Sequence, residues 1–182
     1  MPGNVRQSTG EVRRWVVAGA VLERPDGLLL VRNRRRNGRT DWSTPGGVID
    51  DSDPTLLEGL AREVEEETGL RVCSWEGPLY EVRADAVDLG WSMRCEVYRA
   101  LEFDGELKVA DPDGIVIEAA FVPHIDCHAL LENCLAWVRE PLADWLTHRW
   151  EASERRDYRY DVRGTALDNF EVVRSERPGT DR

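Results

Sequence analysis

Nine consecutive residues combine an arginine, four carboxylates and a helix-ending glycine, in the order Arg62-Glu63-Val64-Glu65-Glu66-Glu67-Thr68-Gly69-Leu70. Each helical residue advances about 100° around the axis, so Glu63, Glu66 and Glu67 fall within roughly 100° of one another. Glu65 points away from this face. Three like charges at such spacing would destabilise a helix on their own. A hard divalent cation such as Mg²⁺ or Mn²⁺ prefers carboxylate oxygen and removes that cost, so the spacing predicts a metal-binding helix face.

The residues that precede this helix face extend the pattern, which resembles the Nudix box. Its second half matches at every fixed position: Arg62, Glu63, Val64, Glu66, Glu67, Gly69 and Leu70. Its first half departs from the family pattern, because the acid after Gly47 is Asp53 rather than Glu and an additional residue separates Asp53 from Arg62. The box, residues 47–70, is therefore one residue longer. We place the extra residue in the loop or the first helical turn, where an insertion costs little.

The resemblance implies an α/β fold, the Nudix α/β/α sandwich with a mixed sheet. It also implies a Nudix-type pyrophosphohydrolase that cleaves a diphosphate linkage by metal-assisted attack of water on phosphorus. The expected substrate is a small nucleotide: a nucleoside triphosphate, ADP-ribose or another nucleotide sugar. The alternative is a catalytically silent Nudix-fold module that binds nucleotides or regulates. The stretched box favours this alternative, and the intact helix carboxylates argue against it.

The resemblance also assigns roles to the box residues. Glu63, Glu66, Glu67 and the Gly47 carbonyl are expected to bind Mg²⁺ or Mn²⁺. Glu66 ligates the metal directly or acts through a water molecule. Arg62 pairs with a box carboxylate and orients it.

A general base is expected outside the box, because metal-bound glutamates are poor bases. The candidate is Glu118, three residues before Phe121, where many family members carry a Glu; the alternative interpretation is an exposed strand acid. Asp111 and Asp113 are weaker candidates on the preceding loop. The acids of the box loop could supply outer-shell waters or could satisfy turn amides; these acids are Asp50, Asp51 and Asp53.

Four residues are candidates for substrate binding. Arg32 and Arg34 lie just before the box, where the family often forms its pocket mouth, and guanidinium groups suit phosphate. The alternative is that these arginines are solvated. Trp42 and Trp91 could stack on a nucleobase.

The composition bounds the partners of this chain of 182 residues. A formal net charge of −11 argues against nonspecific nucleic-acid binding, which needs a basic surface. No apolar run approaches the roughly 20 residues of a membrane span, and the first residues lack the apolar core of a signal peptide. We therefore expect a cytoplasmic protein that binds neither nucleic acid nor membrane. The four cysteines form no Cys-x-x-Cys pair, so zinc is not expected.

The hydrophobic pattern divides the chain into a flexible N-terminus (1–11), a Nudix domain (12–148) and a charged extension (149–182). Within the domain, strands over 15–22 and 28–31 are expected to form a hairpin. A helix should run from about Thr55 to Thr68 and end at Gly69 in the left-handed conformation. A second helix should cover 127–148, kinked or restarted at Pro141.

The extension contains two segments with alternating aromatic and β-branched residues, 158–162 and 169–173. These segments predict a hairpin that packs on the core or on a second subunit, and the latter would make the protein a homodimer. The alternative is a partly disordered tail. The final segment, 175–182, is expected to be disordered.

Overall fold

The computed structural model describes residues 12–166 and 169–175. That part of the chain forms ten strands and three α-helices. Their bounds in chain order are β1 Arg13–Val21, β2 Glu23–Arg24, β3 Gly27–Arg34, β4 Thr40–Ser43, β5 Gly46–Val48, α1 Leu56–Thr68, β6 Leu70–Ala86, β7 Trp91–Gly105, β8 Val116–Val122, α2 His124–Leu131, α3 Ala136–His148, β9 Arg156–Ala166 and β10 Asn169–Arg174. The predicted flexible segment 1–11 and most of the predicted disordered end lie outside the described residues.

Two sheets form the centre of the molecule. The larger is mixed and has the strand order β10-β9-β6-β7-β1-β5, with β1 parallel to β7 and β6 parallel to β9. In the smaller sheet, β3 pairs antiparallel with β2, β4 and β8. Helices cover both faces, so the predicted α/β/α sandwich with a mixed sheet is confirmed.

The two faces of the large sheet bury different cores because side chains alternate along each strand. On one face, Leu60 and Val64 of α1 pack with Ala18 and Ala20 of β1. On the other face, apolar side chains of α2 and α3 pack with those of β6 and β9; the buried members include Leu131, Leu142, Trp145, Val82, Tyr158 and Tyr160. Residues of one strand therefore point alternately toward α1 and toward α3, which decides which side chains can meet in a site.

The prediction that residues 15–22 and 28–31 pair with each other as a hairpin is wrong. β1 pairs with β7 and β5 in the large sheet, and only the two-residue strand β2 turns back onto β3. The chain thus crosses from one sheet to the other near Leu22, whose carbonyl accepts a hydrogen bond from the Leu29 amide at 2.8 Å. Local turn signals could not reveal that β1 has more favourable partners elsewhere.

The predicted helix over 127–148 is two helices, with the break at 132–135 rather than at Pro141. Pro141 lies inside α3, one turn after its start, and lacks only the amide that would bond to the Trp137 carbonyl. The break is stabilised by two contacts. The Arg139 guanidinium donates to the Glu132 carbonyl at 3.0 Å, and the Cys134 thiol donates to the Trp42 carbonyl.

The charged extension contributes β9 and β10, which form an antiparallel hairpin. β9 also pairs in parallel with β6, from Tyr80 opposite Arg156 to Asp85 opposite Asp161. The hairpin therefore adds two strands to the large sheet on the side of α3. In the described part of the chain, no helix is long and apolar enough to cross a membrane.

Candidate active site

Helix α1 is capped at both ends as its sequence predicts. The Thr55 hydroxyl caps the helix by accepting the Glu58 amide at 3.2 Å, and it donates to the Glu58 carboxylate at 2.8 Å. At the other end Gly69 adopts a φ of 75°, and its amide donates to the Glu65 carbonyl. The helix is unbroken from Leu56 to Thr68, so the extra box residue is accommodated before it and the acidic face keeps its spacing.

Arg62 is the charged centre of the box. Its guanidinium donates to both oxygens of Asp53 at 3.0 and 2.9 Å, to Glu63 at 2.7 Å and to Glu66 at 3.1 Å. The bidentate bond from Arg62 holds the pKa of Asp53 below its ordinary value. Asp53 also accepts a hydrogen bond from the Asp50 amide at 2.8 Å. This is one of the two roles expected for the loop acids, the satisfaction of turn amides.

Glu67 is the most buried acid of the box, with 9% of its surface exposed. Its Oε2 atom accepts the Gly46 amide at 2.8 Å. Burial, together with the negative charges of the nearby Glu63 and Asp111, raises its pKa to about 8 despite that hydrogen bond. Burial also raises the pKa of Glu63. Both carboxylates are therefore held where negative charge is costly, and a cation would relieve that cost.

The loop glycines bring the backbone against the acids of α1. A Cβ on Gly47 would collide with the Glu63 carboxylate, so the glycine lets that carboxylate lie directly against the loop backbone. The donor set, carboxylates plus a backbone carbonyl, fits a hard divalent cation. Among the described residues, however, no group of three acidic, histidine or cysteine side chains lies close enough to hold a metal ion. Arg62 occupies Glu63 and Glu66, so a cation would have to compete with it.

One cavity of about 560 Å³ connects two chemically different ends. The acidic end is lined by Asp50, Glu63, Glu66, Glu67, Asp111 and Asp113. The apolar end lies between the large sheet and α3 and is lined by Tyr80, Val82, Met93, Val97, Trp137 and Leu142. The volume and the contrast are those of a site for a ligand with an anionic part and a flat apolar part.

Two residues of the cavity lining, Asn33 and Tyr80, each present a side-chain oxygen that has no protein hydrogen-bond partner in the described part of the chain. The Asn33 side chain, 6% exposed, donates through Nδ2 to Ser43 at 2.9 Å and to Asp41 at 3.3 Å. Arg35 fixes Asp41 through two 2.6 Å bonds, so the Asn33 amide is oriented with its oxygen free to accept. The Tyr80 hydroxyl likewise has no hydrogen-bond partner among the described residues, although Tyr80 is only 4% exposed.

The predicted base Glu118 lies outside the cavity lining. It pairs with Arg32 across β8 and β3, at 3.4 Å, and both side chains are close to half exposed. Glu118 alternates with Ala119, which packs toward α1, so it points to the opposite side of the sheet from the box helix. The structure thus brings Arg32 and Glu118 together but places neither beside the box acids.

The other predicted substrate-binding residues also lie outside the lining. Arg34 is exposed at the end of β3. The Trp42 ring packs partly against the core beside α2 and α3. Trp91 contacts the edge of Trp137, with ring centroids 6.2 Å apart, and so reaches the cavity only through that residue.

Asp111 and Asp113 lie in the loop before β8 and do border the acidic end. The Asp111 carboxylate accepts three backbone amides, those of Asp113, Ile115 and Val116, at 2.7 to 3.1 Å. It therefore holds the loop in shape. Asp113 is exposed, and its negative charge contributes to the raised pKa of Glu63.

Sequence reasoning missed Asn33, Tyr80 and Trp137. The alternation of Tyr80 with Val82 could indicate a buried strand face. Nothing local shows that α3 closes a cavity over that face, because the pairing of β6 with β9 and the packing of α3 are long-range.

The described geometry defines an α/β/α sandwich with an acidic helix beside a glycine loop, and comparisons with known proteins agree. The family model described as "NUDIX domain" matches residues 13–146. This chain therefore belongs to the Nudix family, and the predicted resemblance is confirmed.

Three relatives illustrate the similarity. The "MutT-like protein" of Streptomyces ambofaciens is 54% identical over 56 residues, 31% of this chain and 34% of that protein. The "8-oxo-dGDP phosphatase NUDT18" of Homo sapiens is 38% identical over 56 residues, 31% of this chain and 17% of that protein. A solved MutT NUDIX hydrolase from Burkholderia pseudomallei is 27% identical, with a TM-score of 0.53, and covers 62% of this chain and 85% of that one. The match spans about a third or less of both curated relatives.

Proposed function

We propose that the protein is a divalent-metal-dependent pyrophosphohydrolase that cleaves a phosphoanhydride bond in a nucleoside diphosphate derivative. The observation that carries this proposal is the continuous cavity that joins the box acids to an apolar end. A nucleotide has the same division, with an anionic phosphate chain and a flat base. Membership of the Nudix family supports the reaction class.

Glu63, Glu66, Glu67 and the Gly47 carbonyl would hold Mg²⁺ or Mn²⁺ in this proposal. The bound ion would supply neutralisation of the charge that builds on the phosphate oxygens. Arg62 positions the ligands: anchored by Asp53, its guanidinium holds Glu63 and Glu66 on one side of α1. Asp53 thus contributes through Arg62, although it is shorter than the Glu of the family pattern and displaced from it.

Asp113 replaces Glu118 as our candidate general base. A base must lie within reach of the attacking water, and Asp113 borders the acidic end whereas Glu118 does not. Its neighbour Asp111 is committed to three backbone amides. The exposed Asp113 carboxylate would accept the proton that the water loses as it attacks phosphorus.

The apolar end would take the nucleobase of a nucleoside di- or triphosphate. Trp137 supplies an aromatic surface there, and the Asn33 oxygen supplies a fixed acceptor for an N–H group on the base edge. The human relative is named as an 8-oxo-dGDP phosphatase, which supports a purine nucleotide. ADP-ribose and other nucleotide sugars carry the same two parts and belong in the same test.

A catalytically silent nucleotide-binding module is the second candidate. It is favoured by the bonds from Arg62 to Glu63 and Glu66, which occupy two expected metal ligands. Such a protein would bind nucleotides through the cavity without turnover.

The test is the release of phosphate and pyrophosphate from a panel containing the deoxynucleoside di- and triphosphates, their 8-oxoguanine forms, ADP-ribose and nucleotide sugars. Each compound is incubated with Mg²⁺, with Mn²⁺ and with EDTA. We expect turnover of a nucleotide that EDTA abolishes. Silence across the panel combined with Mg²⁺-dependent stabilisation by a nucleotide would establish the binding module instead.

A further inference from the structure

We propose that the C-terminal hairpin, β9 and β10, is part of the substrate-selecting apparatus, because it positions the helix that forms the wall of the base compartment. The hairpin lies beyond the residues that the family model matches. The inference rests on the proposed function for the identity of the ligand. It rests on the geometry of α3 for the role of the hairpin.

Three residues on one side of α3 contact the hairpin. Trp137 stacks on Phe170 of β10, with centroids 6.1 Å apart and planes inclined by 9°. Glu140 accepts the Tyr160 hydroxyl at 3.0 Å, and Asp144 accepts the Tyr158 hydroxyl. The positions are spaced by three and four residues, so they form one stripe along the helix.

Cations of the hairpin strengthen this stripe. Arg156 lies 3.3 Å from Asp144, and Arg174 lies 3.7 Å from Glu140. The Tyr158 hydroxyl and Arg156 together hold the pKa of Asp144 below its ordinary value. Asp144 therefore stays charged at neutral pH, and α3 is fixed at two points in addition to the aromatic stack.

The same helix faces the cavity through Trp137, Val138 and Leu142. Trp137 is the link, because it contacts Phe170 and also lines the apolar end. Any shift of α3 moves the indole relative to Met93 and Val97 on the facing sheet. The acidic end is held by α1 and the loop before β8, neither of which uses hairpin residues in these bonds. Loosening the hairpin should therefore weaken recognition of the base and leave the phosphate end intact.

Phe170 is thus a positioning residue, and Phe170→Ala tests it. The measurements are kcat and KM for dGTP, and the inhibition constant of inorganic tripolyphosphate, which has the phosphates without the base. We expect the KM for dGTP to rise about three- to tenfold, the effect of one aromatic contact. kcat and the tripolyphosphate constant should stay unchanged. The ratio of the KM for dGTP to the inhibition constant of tripolyphosphate does not depend on the fraction of folded protein.

Two variants separate positioning from general destabilisation. Phe170→Tyr keeps the ring and should restore the parental KM. Phe103→Ala removes a comparable stacked ring, 6.3 Å from Phe121 and away from the cavity lining, and should lower stability without changing the ratio. An unchanged KM in Phe170→Ala, or an equal rise in the tripolyphosphate constant, would overturn the inference.

Calorimetric titration of dGTP with Mg²⁺ into parent and Phe170→Ala separates this inference from the proposed catalysis. Parental binding without turnover would refute the hydrolase proposal, and the ratio of the two dissociation constants would still decide the role of the hairpin. If the parent does not bind dGTP, the hairpin proposal is wrong.

Discussion

The two ends of the cavity are built in opposite ways. The acidic end comes mainly from one continuous stretch, with Glu63, Glu66 and Glu67 on α1 and the glycine loop beside them. The apolar end is assembled from β6, β7 and α3, which are far apart in the chain. The first end concentrates like charge that needs a counter-ion, whereas the second needs only shape and a few polar groups. A chemical reaction and a choice of substrate can therefore be altered separately in this fold.

The largest expected effect is at the acidic end. Glu67→Gln removes a buried carboxylate beside the Gly46 amide and should lower kcat/KM for dGTP about a thousandfold, as for other groups that stabilise transition-state charge. Glu65→Gln is the matched control, because Glu65 is exposed on the far side of the same helix. Steady-state kinetics with Mg²⁺ measure both. Equal activity of the two variants would mean that the box acids do not hold the metal.

The next largest effect, on kcat, is expected from replacing the candidate general base. Asp113→Asn should reduce kcat about a hundredfold, the lower range for loss of a positioned base. Glu118→Gln should leave kcat near the parental value, because Glu118 faces Arg32 on the other side of the sheet. The pH profile of kcat, with circular dichroism as the folding control, distinguishes them. A loss of kcat in Glu118→Gln alone would show that Glu118, the residue predicted from the sequence, is the general base.

A smaller effect, on the KM for dGTP, is expected from a change at Asn33. Asn33→Ala removes the fixed acceptor and should raise the KM for dGTP by up to about tenfold, the range of one hydrogen bond. Asn37→Ala is the control, since Asn37 lies in the exposed turn and its side chain, among the described residues, accepts only the Arg39 amide. The inhibition constant of tripolyphosphate should be unchanged in both. If Asn33→Ala weakens tripolyphosphate equally, the two ends are not independent.

The smallest kinetic effect is expected at Glu23, which holds the far end of α3 through Arg149 and contacts His124 at 2.8 Å. Burial alone would raise the Glu23 pKa, but the bonds from Arg149 and His124 outweigh it and place the pKa below 4.5. The carboxylate therefore stabilises the fold above pH 4.5, and this stability is lost as the pH falls through the lowered pKa.

Glu23→Gln should accordingly cost about 1 to 2 kcal/mol of unfolding free energy at pH 7. The cost should shrink as the pH falls below 4.5, and the ratio of the dGTP and tripolyphosphate constants should not change. Urea unfolding at several pH values measures the first quantity. A cost that persists at acid pH would show that Glu23 acts by packing.

The sequence predicted the helix and the glycine loop of the acidic end well because their information is local. The caps of α1, its acidic face and the glycine loop are all specified within residues 46–70, and the structure has them there. The hairpin of the extension was also expected, from the alternation around Tyr158 and Phe170. The role of Asp53 was harder to predict, because its bonds to Arg62 depend on how the stretched loop folds back onto the helix.

The apolar end could not be predicted, since long-range packing creates it. Tyr80 and Trp137 read as ordinary core residues, and only the arrangement of α3 over β6 and β7 exposes them to a cavity. The same reason explains why Trp42 and Trp91, chosen as aromatic residues that could stack on a nucleobase, lie outside the lining. Long-range pairing with β7 also explains why β1 does not form the expected hairpin.

The most direct test of the separation between a phosphate end and a base end is the kinetics of Trp137→Ala on dGTP. Tripolyphosphate serves as the inhibitor that lacks a base. Trp75→Ala, a partly buried tryptophan on the α1 side of the sheet, is the matched control. We expect a rise of about tenfold in the KM for dGTP, with kcat and the tripolyphosphate constant unchanged. A fall in kcat with an equal loss of tripolyphosphate binding would contradict the separation of a phosphate end from a base end.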